Sequence, residues 1–281
     1  MNPYKLSFLF ISSFLSIAST AQKTKIEVQK GQKFLVESTT IMTSSAEVMG
    51  QTMENSNDSK TSTIYEILAA GQDSINLQST ITKISVNATA MGQSMSFDSE
   101  KKDNEGPINE ILSKMVNKAR SITIDNKGTI TRQDDTEEGI QAASMGIGAG
   151  GNEVITELYL PALIGKELKT GDSLTDISTI KKEKYESRDS GTYKIIAIEN
   201  GVAILAYSGT QVLVMVMEQM GMEMITSSNS VIKTDLKVEI KTGLLLAKAS
   251  TVESTMSIDA SGMTIPATAK VNTTMKISPV Q

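Results

Sequence analysis

Four short stretches of this chain set a glycine among methionines or small residues, each flanked by segments in which apolar and polar residues alternate. They are Met49-Gly50-Gln51-Thr52-Met53, Met91-Gly92-Gln93-Ser94-Met95, Met220-Gly221-Met222-Glu223-Met224 and the weaker Ser261-Gly262-Met263-Thr264-Ile265. Alternation with a period of two marks a strand with one buried face. Glycine supplies the positive φ that a tight hairpin turn demands. Each stretch therefore reads as a β-hairpin. In the last, Val252, Met256, Ile258 and Ala260 share one face before the turn, and Met263, Ile265, Ala267, Ala269, Val271, Met275 and Ile277 share it afterwards. With Ser261-Gly262 as the loop, Ile258 falls opposite Ile265. A slip of one residue would reverse every side chain, so the pattern pins the register.

The hairpins recur in a longer unit. Ile64-Tyr65-Glu66-Ile67-Leu68 leads into the second Met-Gly turn, and Thr192-Tyr193-Lys194-Ile195-Ile196 leads into the third. Ser121-Ile122-Thr123-Ile124 with its Asp125–Gly128 turn resembles Lys237-Val238-Glu239-Ile240 with its Lys241-Thr242-Gly243 turn. Between them, Ile108, Ile111, Leu112, Met115, Val116 and Ala119 recur at helical spacing, which predicts a helix from Pro107 to Arg120. The expected fold is α+β and mainly antiparallel β. It has two related halves of curved β-meander, with a helix packed on the sheet. Residues 22–135 and 153–281 are the halves, and 136–152 is a Gly-rich connection. Such a curved sheet resembles the half-barrels of periplasmic lipoprotein carriers, an analogy of fold alone. The alternation does not distinguish one continuous sheet from two domains.

The N-terminus reads as an export signal. Lys5 precedes an apolar run from Leu6 to Ala18, too short to span a bilayer, and Ser19-Thr20-Ala21 places cleavage after Ala21. The expected location is periplasmic or extracellular, with no transmembrane segment after cleavage. Export permits disulfides, yet the chain has no Cys, so stability must come from its core. Net charge is −5, and the densest basic run, Lys181-Lys182-Glu183-Lys184, holds three lysines, which argues against a nucleic-acid partner.

The absence of His, Cys and Trp removes most catalytic chemistry. Ser-His-Asp and Cys-His nucleophiles are impossible, as are the usual zinc sites. Asp189-Ser190-Gly191-Thr192 matches an aspartic-protease signature superficially, but lacks a second copy in register and reads as a polar turn. Asp134-Asp135 and Glu137-Glu138 read as the start of a helix, and Gly146–Gly151 lacks the Lys-Ser/Thr of a phosphate loop. Asp73-Ser74-Ile75 and Asp172-Ser173-Leu174 fit a short O-glycosylation pattern. The chain is expected to be no enzyme and to need no cofactor.

Methionine is the remaining signal, with sixteen in the chain. Met53, Met95, Met215, Met217, Met222 and Met224 are the candidate ligand-binding residues. Across a two-residue turn Met217 would face Met224, with Met215 and Met222 on the same side. Thioethers are adaptable core fillers, can line a pocket for an apolar small molecule or lipid, and are soft ligands for Cu(I). The alternative partner is an envelope protein bound at exposed hairpin tips, Met49, Met91 and Met220.

Lys30-Gly31-Gln32-Lys33-Phe34, Leu160-Pro161 and Lys169-Thr170-Gly171-Asp172-Ser173-Leu174, with the Gly128 and Gly243 turns, resemble an uncharacterised family of exported Bacteroidota proteins. That family pairs a Lys-Gly-x-x-Tyr/Phe start with a mid-chain Leu-Pro-x-x-x-Val-x-x-Gly-Asp-Ser-Trp segment. Here Leu174 stands where Trp is usual, and Ile164-Gly165 displaces the Pro. The resemblance implies a fold and a compartment, without a reaction.

Overall fold

The computed structural model describes residues 23–48, 50–90, 92–101, 107–133, 158–219, 222–260 and 262–280. The export signal, the Gly-rich connection, the 134–138 carboxylates and the tip residues Met49, Met91 and Met220 lie outside them. The strands are β1 (Lys33–Val48), β2 (Gln51–Ala70), β3 (Ser74–Ala90) and β4 (Gln93–Asp98), followed by helix α1 (Pro107–Met115). Then come β5 (Ala119–Asp125), β6 (Ile130–Gln133), β7 (Ser173–Lys182), β8 (Tyr185–Glu199) and β9 (Val202–Gln219), and finally β10 (Met222–Glu239), β11 (Leu245–Ala260) and β12 (Met263–Val280).

All twelve strands form one antiparallel open sheet, in the order β6-β5-β3-β2-β1-β12-β11-β10-β9-β8-β7, with β4 also paired to β3. The halves are therefore continuous, joined through the β1–β12 pair at the centre. All four Gly hairpins form as two-residue loops, closed by the pairs Val48↔Gln51, Ala90↔Gln93, Gln219↔Met222 and Ala260↔Met263. Ile258 stands opposite Ile265, as the alternation requires.

These turns share one end of the sheet, the tips. The β2–β3, β8–β9 and β10–β11 connections share the other, the base. The larger core sits at the base. Phe34 and Val36 start β1, Tyr65 and Ile67 end β2, Leu205 lies near the start of β9, and Leu236 and Val238 end β10; all are buried in one cluster with Leu158, Tyr159, Leu160, Leu163 and Leu168. The last five belong to the segment before β7, which includes a 3-10 turn at Pro161–Leu163. An 18-residue strand such as β10 spans roughly 60 Å at about 3.4 Å per residue, so the strands run far beyond this core.

The sheet is bent around that segment. Leu245 N donates to Leu158 O at 2.8 Å, and Tyr159 bridges to Leu244. A Cβ placed on Gly128 would lie 2.8 Å from Tyr159 Cβ. Residues 158 and 159 thus touch both the β5–β6 turn and the β10–β11 turn. Five strand steps separate those turns, about 24 Å across a flat sheet at ~4.8 Å per step. Only curvature lets neighbouring residues reach both.

A smaller core lies under α1, where Ile111, Leu112 and Met115 are buried with Ile81, Ile84, Val86 and Phe97. The helix is shorter than its periodicity predicts. It stops at Met115, because Asn117 turns left-handed (φ 60°) and donates its N–H to Ile81 O at 2.8 Å. Ala119 and Arg120 then pair with Thr80 and Ser79 as the start of β5. Asp189 also departs from expectation: it lies inside β8 rather than in a turn, since inner-face packing sets the strand and outweighs a turn-like composition.

The connections into β1 and β7 are built alike. Gly31 N donates to Ile67 O (2.8 Å) and Ile67 N to Gln32 O (2.9 Å). Gly171 N donates to Ile195 O (2.8 Å) and Ile195 N to Asp172 O (2.9 Å). A register shift follows Ile67 in β2 and Ile195 in β8. Tyr65 stands opposite Ser79, and Tyr193 opposite Tyr207.

Candidate functional site: the inner face of the sheet

The register divides every strand into an inner face, which carries Phe34, Ile67, Leu77, Leu205 and Val238, and an outer face. Charge is sharply segregated between them. On the outer face lie Glu37 and Glu47 of β1, Glu54, Asp58 and Lys60 of β2, Lys233, Asp235 and Lys237 of β10, and Lys270 and Lys276 of β12. Directly opposed pairs there form ion pairs, Lys33–Glu66 at 3.0 Å and Lys270–Glu253 at 2.8 Å. Such exposed cross-strand pairs are each worth about 0.2–1 kcal/mol.

The inner positions of β1, β2, β10 and β12 carry no charged residue, and β11 carries only Lys248. Beyond the base core, against which Met275 packs, they present Ser38, Thr40, Met42, Ser44 and Ala46 on β1, and Thr273, Val271, Ala269 and Ala267 on β12. The hydroxyls are spent largely on one another. Thr40 bonds Thr273 at 3.2 Å, Ser230 bonds Ser254 at 2.8 Å, and Thr234 bonds Ser250 at 2.9 Å. A satisfied hydroxyl no longer seeks a partner, so this face offers methyls, thioethers, spent hydroxyls and, on β2, the carboxamides of Asn55 and Asn57.

All six candidate methionines occupy inner-face register positions. Four of them come together on β9 and β10, and Met53 and Met95 lie apart from these and from each other. Met217 is directly opposite Met224, with Met215 and Met222 two residues away on β9 and β10. Met53 lies four strand positions from β10, opposite Ala46 on β1. Met95, opposite Ala88, is exposed on β4. Met53, Met215 and Met224 are half-buried. The cavity found at this face is not the Met-lined pocket expected. It measures about 20 Å³, room for a water-sized group, and is lined by Thr63, Tyr65, Ser79, Ile81, Lys118, Arg120, Ile122 and Gln133. Arg120 was missed as an inner-face residue because helical spacing was carried through it. The alternation of Arg120, Ile122 and Ile124 is the signal that marks β5.

In the second half, a polar group lies on the inner face of β7, β8 and β9. Asp189 accepts hydrogen bonds from Gln211 Nε2 (2.7 Å), Ser187 Oγ (2.9 Å) and Ser178 Oγ (3.3 Å). Gly191 and Gly209 are opposed, and a Cβ on either would overlap the Tyr207 ring and hydroxyl. Tyr207 therefore covers the glycine pair, with Tyr193 stacked at 4.7 Å and tilted 43°. Burial first, then the neighbouring Asp189, holds the Asp176 carboxyl above its usual value. Tyr207 is raised by burial, then by Asp176 and Asp189. Because Asp176 is raised in the folded state, its ionisation opposes folding at neutral pH, and the penalty vanishes as pH falls below the ordinary carboxylate value. Asp176→Asn should therefore raise stability at pH 7 and make no difference near pH 3, read by urea denaturation at both. Among the described residues no group of three or more His, Cys, Asp or Glu comes together to hold a metal, and no helix is long and apolar enough to cross a membrane.

No curated protein matches this chain. Solved structures with some likeness are outer-membrane proteins of Pseudomonas. OccK2 (OpdF) of Pseudomonas aeruginosa, in complex with glucuronate, is 6% identical with a TM-score of 0.22, covering 88% of this chain and 99% of its own. OpdQ of the same organism is 6% identical with a TM-score of 0.23, covering 89% and 98%. The COG4313 outer membrane channel of Pseudomonas putida F1 is 6% identical with a TM-score of 0.22, covering 92% and 98%. Scores this far below one half establish no shared fold. The segment from the β2–β3 connection through β3, β4, α1, β5 and β6, residues 72–158, matches the model of a family of unknown function, DUF6263.

Proposed function

We propose that this protein is an exported, non-enzymatic binding protein that lays an apolar small molecule or lipid along the inner face of its sheet. The observation that carries this reading is the segregation of charge. An inner face free of charge is ordinary where a core covers it. Here it continues past both cores toward the tips on five adjacent strands, half-buried at positions such as Met42, Val252 and Val271 and buried at Ser59, Ser228 and Ala267. Desolvating charge is costly and desolvating methyl and thioether groups is favourable, so such a face suits an acyl or other apolar chain. The candidate methionines fit this role as adaptable lining. The paired hydrogen bonds at Gly31–Ile67 and Gly171–Ile195 support two related halves, each giving one flank of the face.

Native mass spectrometry of the mature protein, purified gently from its envelope fraction, tests the reading. A discrete added mass that organic extraction removes is expected. A bare polypeptide mass that also fails to take up added lipid would overturn it, and a copper mass would move the function to the methionines. One observation favours a second reading, an envelope protein as partner. Val212, Val214, Ile225 and Val231 are 36–49% exposed together on the outer face of β9 and β10, and contiguous exposed apolar residues mark contact sites. Crosslinking in the envelope fraction that depends on these four residues would support it.

A further inference from the structure

The two ends of the open sheet are finished differently. At one end β6 has only four residues and a register shift against β5, and β4, beside β3, has six. Short strands and bulges blunt an edge against further pairing. At the other end β7 runs ten residues, contains neither Pro nor Gly, and pairs with β8 without a register shift. Ile195 N donates to Asp172 O, which sets the phase of that ladder. Successive residues of an antiparallel strand bond to opposite sides, so Ser173, Thr175, Ile177, Thr179 and Lys181 turn their backbone N–H and C=O away from β8. Among the described residues no strand meets them there. Ile177, on the outer face, is 72% exposed, the highest value of any large apolar residue described.

A strand laid antiparallel to a copy of itself keeps each face on its own side only when odd residues meet odd and even meet even. One such register sets Ile177 opposite Ile177 of the second copy. It then places Leu174 opposite Ile180, Thr175 opposite Thr179, and Asp176 opposite the neutral Ser178. Ser173 meets Lys181, whose ammonium is already paired with Glu186 at 3.4 Å. Asp172 and Lys182 fall opposite each other, so like charges stay apart. Moving the register two residues one way would stack Asp176 on Asp176 of the second copy. Moving it the other way would set Asp176 against Ile180 and Lys182 against Leu174. The odd residues are also those whose backbone groups face the free side, so the favoured register closes a full ladder.

We propose that β7 pairs antiparallel with β7 of a second copy of this chain, about a two-fold axis at Ile177, to make one sheet continuous across two molecules. Charges on an edge strand ordinarily guard it. Here Asp176, Lys181 and Lys182 exclude the neighbouring registers and admit this one. The contact is isologous, so it closes on itself and grows no filament. The axis stands perpendicular to the sheet, which leaves the inner faces of both copies on the same side. The inference is independent of what that face binds.

The chain has no Cys, so a single introduced thiol reports the register without interference. Opposed residues of a hydrogen-bonded pair have Cα atoms about 5.5 Å apart, within the reach of a disulfide. In the mature protein Ile177→Cys should therefore oxidise to a covalent dimer. Thr175→Cys should not, because its two copies lie roughly 14 Å apart along the strands. Mixing Thr175→Cys with Thr179→Cys should give the mixed dimer. Sedimentation velocity of the parent over a range of concentrations should show a monomer–dimer equilibrium. Thr179→Pro should weaken it at least about tenfold, because proline removes a free-side N–H and leaves the β8 ladder intact. An unchanged far-UV circular dichroism spectrum shows that this variant folds, and the thiol pairs decide the register without it. Equal crosslinking of Ile177→Cys and Thr175→Cys, or a dimer that survives Thr179→Pro, would overturn the proposal. So would a parent that stays monomeric throughout, which would leave the edge to a strand of another protein.

Discussion

Leu163→Ala is expected to lower the unfolding free energy by about 2–5 kcal/mol, the range for a truncated, fully buried leucine. Leu163 is 0% exposed and sits in the segment that the sheet bends around, packed with the base core. A truncation of Val252 or Met256 should cost far less, because both are only half-buried on β11 beyond that core. Urea denaturation of the three variants reads the contrast directly. Similar losses at all three would mean that the inner face toward the tips is packed as tightly as the base, leaving no surface for a ligand.

The second large effect is at Gly128. Its φ of 86° lies in the left-handed region, and a Cβ there would meet Tyr159 Cβ at 2.8 Å, against backbone-anchored atoms that cannot swing away. Gly31 has the same φ with nothing within 4 Å of the added atom. Gly31→Ala should cost the conformational term alone, about 1–2 kcal/mol. Gly128→Ala should cost that and a further ~1–3 kcal/mol of overpacking. Equal costs for the two variants would mean that Tyr159 does not seat against the β5–β6 turn, and the bend in the sheet would lose one of its supports.

Much of this architecture was open to reading from local pattern. The Gly hairpins and the Ile258–Ile265 register follow from alternation with a period of two, because a half-buried strand has to write its faces into its side chains. The match between Tyr65-Glu66-Ile67 and Tyr193-Lys194-Ile195 foreshadowed the two Gly-to-Ile hydrogen-bonded connections. What local pattern could not carry was long-range. Nothing in residues 158–168 marks them as the core of a bend, since Leu163 and Leu168 are buried by strands distant in sequence. The end of α1 was misplaced because Val116 and Ala119 kept helical spacing while Asn117 reversed the chain. The hairpin spacing that sets Met217 opposite Met224 is local and could be read, whereas the places of Met53 on β2 and Met95 on β4 relative to them follow only from the strand order. The more telling signal was charge parity, visible only once the pairing of neighbouring strands fixes which residues share a face. Arg120 belongs to that lesson, being the inner-face cation of β5 rather than the end of a helix.

The central claim is that the uncharged inner face, and not the charged outer one, holds the apolar molecule. A photoreactive fatty acid with its diazirine midway along the chain tests this most directly, with the labelled residues located by peptide mass spectrometry. The account predicts labels at inner positions such as Met42, Met53, Val271 and Met275, and none at outer neighbours such as Ile41 and Asn272. Labelling confined to the outer face, above all at Val212, Val214, Ile225 and Val231, would contradict it.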